Sequence, residues 1–476
     1  MFSFGIPARA AAPRLRAAAY RLGAAAAVLA LATAGTAQGV APPGVNPGAL
    51  VLGAPVAPPD PTEQHLVCSH PIWTGPAPTS DPVAQQALGL NRAWEFSRGA
   101  GQVVAVIDTG VHRHPRLTVI PGGDYVSNSD GTVDCDGHGT LVAGIIAGHP
   151  VPDGSDRFSG VAPDAAILSI RQTSLAYQAR NSAQQDSPGH MSAGGYGTVT
   201  TLAYAIVHAV DLHATVINIS EVSCTAVGQN SGDGALGAAL QYAANHNVVV
   251  VASAGNLESQ GACKAQNGTT GWDSVKTIAT PAWFSPYVLS VASVETDGMP
   301  SSFTLYGPWV GVAAPGSNLM SLDSTPGGTG LVNGTPQADG TVAPVDGTSF
   351  SSAFVAGTAA LVRARFPDLS AAQVIDRIVR TAHAPGNGHD DRIGAGLVDP
   401  VAALTAVLPA QSDAPDRGHA IPAPPLPPRI DPWPRRIAVG GTLACLALLA
   451  IVLAVSIPFR RERRRPLVLP GDDDNN

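Results

Sequence analysis

Short, continuous apolar runs alternate with longer segments of helical pattern through most of the chain. A short apolar run that ends at polar or small residues is typical of a strand buried in a parallel sheet. The predicted strands are Gln102–Asp108, Ala165–Ile170, Thr215–Ser220, Val248–Ala252 and Val288–Val294. The predicted helices are His138–Ala147, Thr198–Leu212, Gly234–Asn245, Ser349–Arg365 and a helix that begins at the capping box Ser370–Gln373 and ends near Thr381. This alternation predicts an α/β fold, a doubly wound parallel sheet flanked by helices, in one domain over residues 88–408.

Both ends of the chain carry patterns of membrane-directed segments. Residues 1–37 place four arginines before the apolar run Leu22–Ala34, which small residues follow, and this order is typical of a secretory signal peptide. An alanine-rich amphipathic helix is the alternative for this segment. Residues 437–457 carry no charge and are long enough to cross a bilayer as one C-terminal transmembrane helix. Five arginines follow within residues 460–465, so we expect residues 458–476 to form a cytoplasmic tail.

Two proline-rich segments separate these ends from the body of the chain. Residues 38–87 have little apolar periodicity, and we expect an extension that is tethered to the body and has no core of its own. Residues 409–436 are expected to form a semi-extended spacer between the body and the membrane. With the export signal, this order predicts a single-pass protein of the cell membrane that contacts the lipid bilayer through one helix. The body is expected on the extracytoplasmic side.

Composition narrows the class of protein. Hydrophobic residues are 45% of the chain and charged residues 13%, which excludes a disordered chain and a polyionic nucleic-acid binder. The formal net charge is -8 and the acidic excess lies in the body, so nucleic acid and anionic membrane surfaces are not expected partners. Four of the five cysteines lie in the predicted exported part. Their number favours two disulfide bonds, and their spacing is not that of a zinc site.

Three polar residues lie at the ends of predicted elements in the order of a catalytic triad. Asp108 ends a strand in VIDTG, His138 opens a helix in DGHGTLVAGIIAG, and Ser349 lies in the first turn of a helix in DGTSFSSAFVAG. Asp, His and Ser is one of the known chain orders of the serine-nucleophile triad. Ser349 would attack a carbonyl, His138 would take its proton, and Asp108 would orient the imidazole. The backbone N–H of Ser349 and the side chain of Asn256, in VVVASAGN, would bind the oxyanion. Each residue alone would more often be structural.

Other polar residues near the candidate triad are given no catalytic role. Asp134 and Asp136 are interpreted as loop acids, with tuning of the histidine as the alternative, and His112 and His114 as surface residues near the cleft mouth. The acidic residues in the loops 173–197 and 323–346 lack the spacing of an EF-hand. We therefore expect neither a metal nor a cofactor.

The sequence blocks around the triad resemble those of a known family. VAVIDTGV, DGHGTLVAGIIAG, SAGN and GTSF look like the signature blocks of subtilisin-like serine proteases, in the right order. Further stretches are similar to the mycosins, the membrane-anchored subtilases of actinobacterial type VII secretion systems: DCDGHGTLVAGIIAG, GVAPDAAILSIRQTS, VINISEVSC, PAWFSPYVLSV, GPWVGVAAPGS and TAHAPGNG. The signal peptide, the extension and the anchor match the same family.

The resemblance implies a subtilisin-like serine endopeptidase that cleaves a restricted set of secreted proteins beside the membrane components of a type VII secretion complex. The alternatives are a structural subunit of that complex, with proteolysis secondary, and a free-standing subtilase of broad specificity. The family's cysteine pairing implies the disulfides Cys68–Cys135 and Cys224–Cys263. Substrate binding is implied at Ser220, Glu221 and Val222, where subtilases usually read S-L-G-G, with Glu221 either a specificity determinant or an edge-strand acid. Ala353 stands where subtilases usually have a proline after the nucleophile.

Overall fold

The computed structural model describes residues 40–409, apart from residues 77, 182–194, 259–261, 338 and 387, and near the C-terminus residues 445–448 and 451. The predicted signal peptide, cytoplasmic tail and nearly all of the spacer lie outside the described residues, as does most of the segment 437–457. The chain divides into two compact units, Met1–Leu408 and Pro409–Asn476. Within the described residues, the helices are too short or too polar to cross a membrane.

A seven-stranded parallel sheet forms the centre of the first unit. Its strands in chain order are β1 (Val103–Asp108), β2 (Val119–Asp124), β3 (Ala166–Arg171), β4 (Val216–Ile219), β5 (Val249–Ser253), β6 (Leu289–Val294) and β7 (Val310–Pro315). The spatial order is β7-β6-β5-β4-β1-β3-β2, and every pairing is parallel. Strands β1 to β3 build one half and β4 to β7 the other, so the winding direction reverses beside β1. In such sheets, ligands bind at the carboxyl ends of the strands near the reversal.

Helices cover both faces of this sheet. They are α1 (Val83–Ala87), α2 (Leu90–Ala93), α3 (His138–Ala147), α4 (Val199–Asp211), α5 (Gly234–Asn245), α6 (Thr348–Arg365), α7 (Ala371–Thr381) and α8 (Pro400–Thr405). Alternate residues of β1 face opposite sides: Val104 and Val106 belong to the core beneath α3 and α6, whereas Ala105 and Ile107 belong to the core beneath α4 and α5. Two cores on one sheet confirm the predicted doubly wound α/β fold.

Most predicted elements are present with bounds close to those expected. Helices α3 and α5 begin and end at the predicted residues, and α7 begins after Ser370, whose side chain accepts from the N–H of Gln373 in the predicted capping box. The edge strands β2 and β7 were missed. Strand β2 contains Pro121 and two glycines, which in sequence indicate a turn. Gly122 is needed because a Cβ there would lie 2.6 Å from the carbonyl oxygen of Ser169.

The remaining elements are short and connect the extension and the loops to the body. The extension adds the strand Thr62–Gln64, which pairs antiparallel with Tyr177–Ala179. Further antiparallel pairs are Ser223–Ala226 with Thr277–Thr280, Ser321–Leu322 with Leu331–Val332, and Gly334–Pro336 with Val342–Pro344. Two 3₁₀ turns are Pro47–Ala49 and Trp272–Ser274. Both implied disulfides are formed, Cys68–Cys135 and Cys224–Cys263. The first joins the extension to the loop that leads into α3.

Candidate active site

Two residues of the predicted triad, Asp108 and His138, are in direct contact at the carboxyl end of β1. Asp108 is the last residue of β1 and is fully buried, and its Oδ1 lies 2.7 Å from Nδ1 of His138. His138 is the first residue of α3, and the N-cap Gly137 has a φ of 78°. A Cβ on Gly137 would lie 2.6 Å from Ser324 Oγ, and one on Gly139 would lie 2.1 Å from the carbonyl oxygen of Gly110. Both glycines that flank His138 are therefore needed for its position.

The predicted nucleophile Ser349 is the second residue of α6 and lines the same cleft as His138. Its hydroxyl donates to the carbonyl of Ser220 at 3.1 Å, and the ring of the next residue, Phe350, lies 5.2 Å from the His138 ring. Among the described residues, the hydroxyl is thus held by the strand end that the sequence predicted to bind substrate. In unliganded sites, catalytic hydrogen bonds are often formed only with substrate present.

The side-chain oxygen of Asn256 is bonded within the protein, which leaves the amide nitrogen as a hydrogen-bond donor. Its Oδ1 accepts from the backbone N–H and the hydroxyl of Thr348, both at 3.0 Å. Since the acceptor end is bound, Nδ2 is the donor available to the cleft that Asn256 and Ser349 both line. The start of α6 contributes the backbone N–H of Ser349 at the same place, because the N–H groups of Thr348, Phe350 and Ser351 already donate to Asn256 and Gly347. This arrangement can stabilise a negatively charged oxygen next to Ser349.

The absence of the usual proline leaves the start of α6 intact. Ala353 is fully buried within this helix. The N–H groups of Phe350 and Ser351 both donate to the carbonyl of Gly347, and the hydroxyl of Ser352 donates to the carbonyl of Ser349. The first turn that carries Ser349 therefore closes without a proline at position 353.

Asp134 is a positioning residue that the sequence interpretation missed. It lies in the loop before α3, as interpreted, but it is buried, and its carboxylate accepts hydrogen bonds from the hydroxyls of Thr109 and Thr140 and from the N–H groups of Gly137 and Thr140. Thr109 follows Asp108, and Gly137 precedes His138. One carboxylate thus connects the two chain segments that carry the Asp–His pair. The only sequence signal was its place four residues before the histidine.

Two further expectations about nearby polar residues are corrected or refined. His114 is buried, not a surface residue: its Nδ1 accepts from the N–H of Arg116, and burial, with the charge of Arg116, lowers its pKa to about 4. Asp136 is a loop acid as expected, and it holds the segment 174–176 through the hydroxyl of Ser174 and the N–H groups of Leu175 and Ala176.

The cleft around these groups has a volume of about 590 Å³ and walls from several parts of the chain. The predicted substrate-binding residues Ser220, Glu221 and Val222 all line it, so the structure brings them together with the triad. The extension contributes a further wall with Leu66, Val67, Ser69 and Pro71. The disulfide Cys68–Cys135 holds this wall at the cleft, three residues from His138. The disulfide implied by the resemblance tied the extension to the rim of the cleft, and the structure adds which residues of the extension form the wall.

Carboxylates dominate the electrostatics of the site. Burial alone would lower the pKa of His138, but the contact with Asp108, supported by Glu221 and Asp134, outweighs burial and raises it. Oε1 of Glu221 lies 3.8 Å from Nδ1 of His138. Burial raises the pKa of Glu221, opposed by His138 and reinforced by Asp108, Asp136 and Glu258. The site therefore favours the imidazolium, the form that arises when a serine proton is transferred.

Asp108, His138 and Glu221 could also be considered as metal ligands, because one ligand atom of each lies within 4.8 Å of the others. The geometry favours a triad instead. Nδ1 of His138 is already hydrogen bonded to Asp108 at 2.7 Å, and this nitrogen cannot donate a proton and bind a metal at once.

Comparisons with known proteins agree with this geometry. The model of the subtilase family matches residues 99–396. The chain is 44% identical to Mycosin-1 of Mycobacterium tuberculosis over 451 residues, which are 92% of this chain and 97% of the relative, and 33% identical to thermitase of Thermoactinomyces vulgaris over 280 residues, 58% of this chain and 80% of the relative.

Solved structures match the chain at a similar level of sequence identity. The crystal structure of MycP1 from the ESX-1 type VII secretion system has a TM-score of 0.72 and 45% identity, and the match covers 78% of this chain and 98% of that one. A chain in the structure of an intact ESX-5 inner membrane complex has a TM-score of 0.73 and 40% identity, covering 88% of this chain and 100% of that one. The chain belongs to the subtilase family of serine peptidases and, within it, to the mycosins.

Proposed function

We propose that Asp108, His138 and Ser349 form the catalytic triad of a serine endopeptidase, with the Nδ2 of Asn256 and the backbone N–H of Ser349 as oxyanion donors. The observation that carries this proposal is the 2.7 Å bond between Asp108 and His138 in a cleft that Ser349 also lines. This bond fixes the imidazole with its proton on Nδ1, so Nε2 is the nitrogen that can act as the base.

The reaction follows from these positions. Ser349 Oγ attacks the scissile carbonyl carbon as its proton passes to Nε2 of His138, and the carbonyl oxygen becomes an anion held by the two N–H donors. His138 then gives the proton to the leaving amine, and an acyl group stays on Ser349. A water molecule, deprotonated by His138, releases the acyl group and restores the serine. Asp108 holds the imidazolium in both halves of the cycle.

Ser349→Ala tests this assignment. It should lower peptide turnover on the order of 10⁶-fold, the size of the effect for the equivalent serine of subtilisin. Ser351→Ala, a buried helical serine two positions on, is the matched control, because among the described residues its hydroxyl bonds only to the carbonyl of Pro315. Normal turnover by purified Ser349→Ala on a peptide that the wild type cleaves would contradict the assignment.

We further propose that the protein acts at the outer face of the cytoplasmic membrane within a type VII secretion complex and cleaves a restricted set of secreted proteins. Support comes from the ESX-5 inner membrane complex, which contains a chain similar to this one, and from the predicted signal peptide and the predicted anchor 437–457. Purification from detergent-solubilised membranes with a C-terminal tag tests it, because secretion components should co-purify. Recovery of the protein from the soluble fraction would contradict it.

A structural role in the same complex is the second candidate function. It is favoured by the similarity to chains in two ESX-5 assemblies. Comparing Ser349→Ala with deletion of the whole protein separates the two roles. If export fails on deletion but continues with Ser349→Ala, the assembly role is essential, and if both abolish export, proteolysis is essential.

A further inference from the structure

Glu221 is a carboxylate beside the reacting serine without a cation of its own. It follows Ser220, whose carbonyl holds the hydroxyl of Ser349, and its side chain is 23% exposed towards the cleft. The nearest basic group is Nδ1 of His138 at 3.8 Å, and that nitrogen is already bonded to Asp108. Within the described part of the chain, no hydrogen bond and no lysine or arginine reaches the Glu221 carboxylate.

Apart from His138, which is already bonded to Asp108, the described surroundings of Glu221 add negative charge and no positive charge. Of the residues that line the cleft, four are acidic and none is lysine or arginine; the acidic ones are Asp136, Glu221, Glu258 and Asp346. Asp136 and Asp346 accept backbone N–H bonds that stabilise their charges, from Leu175 and Ala176 and from Asn318. Glu221 has no such donor. The charged form of a half-buried carboxylate with like charges around it is stabilised most by a cation that arrives with a ligand.

The walls of the cleft suit the rest of such a ligand. Many of the lining side chains are apolar, among them Leu66, Val67, Leu175, Val222 and Phe350. Lysine and arginine have an apolar stem that packs along such walls and a charged end that needs a carboxylate. Apolar walls that end at an unpaired glutamate match both parts of these side chains, whereas a purely apolar side chain would leave Glu221 desolvated and unpaired.

We propose that Glu221 is a specificity-determining residue and that this peptidase preferentially cleaves peptides that present a lysine or arginine side chain close to the scissile bond. The proposal rests on the proposed peptidase function and names the substrate class of that same cleft. The terminal cation of the substrate pairs with the Glu221 carboxylate as the scissile carbonyl reaches Ser349.

A second consequence concerns the histidine. The charged groups that face His138 are Asp108, Glu221 and Asp134, and those that face Glu221 are His138, Asp108, Asp136 and Glu258. All the carboxylates near His138 favour its protonated form, which cannot act as the base. Neutralising Glu221 removes one of them, so the pKa of His138 in the free enzyme falls. The acid limb of the kcat/KM profile then moves to lower pH for an uncharged substrate.

The test uses the purified full chain and a set of fluorogenic peptides that differ only by lysine, glutamate or norleucine at each position on either side of the scissile bond. The wild type should prefer lysine at one or more of these positions. Glu221→Gln should lower that preference about tenfold, the size expected for loss of one close charge pair. Glu221→Lys should prefer glutamate at the same position. Glu95→Gln, an exposed glutamate away from the cleft, is the matched control and should keep the wild-type preference.

Labelling of Ser349 with diisopropyl fluorophosphate gives the concentration of folded active sites in each variant, so a folding defect is distinguished from a change in specificity. A wild type with no preference for lysine at any position would overturn the proposal, as would a lysine preference that Glu221→Gln leaves unchanged. A simple structural role for Glu221 would alter neither the lysine preference nor the acid limb. If instead the peptides are cut equally by Ser349→Ala, it is the triad assignment that fails.

Discussion

The floor of the cleft and its extension wall are held in place by different interactions. On the floor, Asp108 and Ser349 belong to β1 and α6, both packed into the core, and Asp134 ties Asp108 to His138 through hydrogen bonds. The extension wall at residues 65–71 has an exposed surface, with Val67 90% exposed. It is attached by the disulfide Cys68–Cys135, by the short strand pair that precedes it and by a few backbone hydrogen bonds to Ala176 and Cys135. Reaction geometry therefore depends on many shared contacts, whereas this wall depends on few and can vary without disturbing the chemistry.

The comparison predicts that the largest losses come from conservative changes on the floor. Asp108→Asn keeps the size of the side chain but replaces the acceptor that holds Nδ1 of His138, so the imidazole is stabilised in the wrong tautomer. We expect turnover to fall about 10⁴-fold, as for the equivalent change in another serine protease. The measurement is kcat on a peptide substrate together with the unfolding midpoint, which should change little. A rate within tenfold of wild type would show that Asp108 does not orient the base.

Removal of one oxyanion donor should have the next largest effect. Asn256→Ala takes away Nδ2 and should lower kcat roughly 10²–10³-fold with a small change in KM, because the lost bond forms only as the oxyanion develops. Asn256→Ala also removes the acceptor for Thr348, so Thr348→Val serves as the control for that loss. If both variants lose the same activity, the role of Asn256 is to position α6 and not to bind the oxyanion.

Asp134 tests whether the floor depends on a residue that touches no substrate. Asp134→Asn replaces an acceptor by an NH₂ group facing donors, including the N–H of Thr140. We expect a loss of about 1–3 kcal/mol in the free energy of unfolding and a fall in kcat without a change in substrate preference. Urea denaturation measures the first and peptide kinetics the second. Asp130→Asn is the control, because Asp130 lies in the same loop but its exposed carboxylate bonds to Thr132 and pairs with Arg113 at the surface. Equal stability of the two variants would show that Asp134 does not hold the segments of Asp108 and His138 in place.

What could be predicted from the sequence follows the same division. The sheet and the triad were predictable because each residue stands at the end of an element with a clear pattern: Asp108 ends an apolar run, and Ser349 opens a helix. The role of Asp134 could not be predicted, because its donors come from Thr109, just after β1, and from Gly137 and Thr140, around the start of α3, and they meet only in the fold. The contact of Glu221 with His138 depends on β4 lying beside β1, which periodicity alone does not give. The edge strand β2 was missed because its proline and glycines resemble a turn.

The smallest effect on turnover is expected at the extension wall. In the variant Cys68→Ser/Cys135→Ser, residues 65–71 lose their covalent attachment, but no hydrogen bond of Asp108, His138 or Ser349 involves them. Cleavage of a short peptide that contacts only the floor should stay close to the wild-type rate, while the free energy of unfolding falls by about 2–4 kcal/mol because the bond closes a long loop.

Cleavage of a folded protein substrate, which reaches the wall, should change more than cleavage of the short peptide. The same experiment tests whether the extension is retained: mass spectrometry of the mature wild type should find residues from about Gln38 onward, and non-reducing digestion should give a Cys68–Cys135 cross-linked peptide. A mature protein that begins near residue 88 would mean that the extension is removed and the wall is temporary. Loss of short-peptide cleavage in the double variant, with the fold intact, would instead show that the wall positions the triad and that floor and wall are not independent.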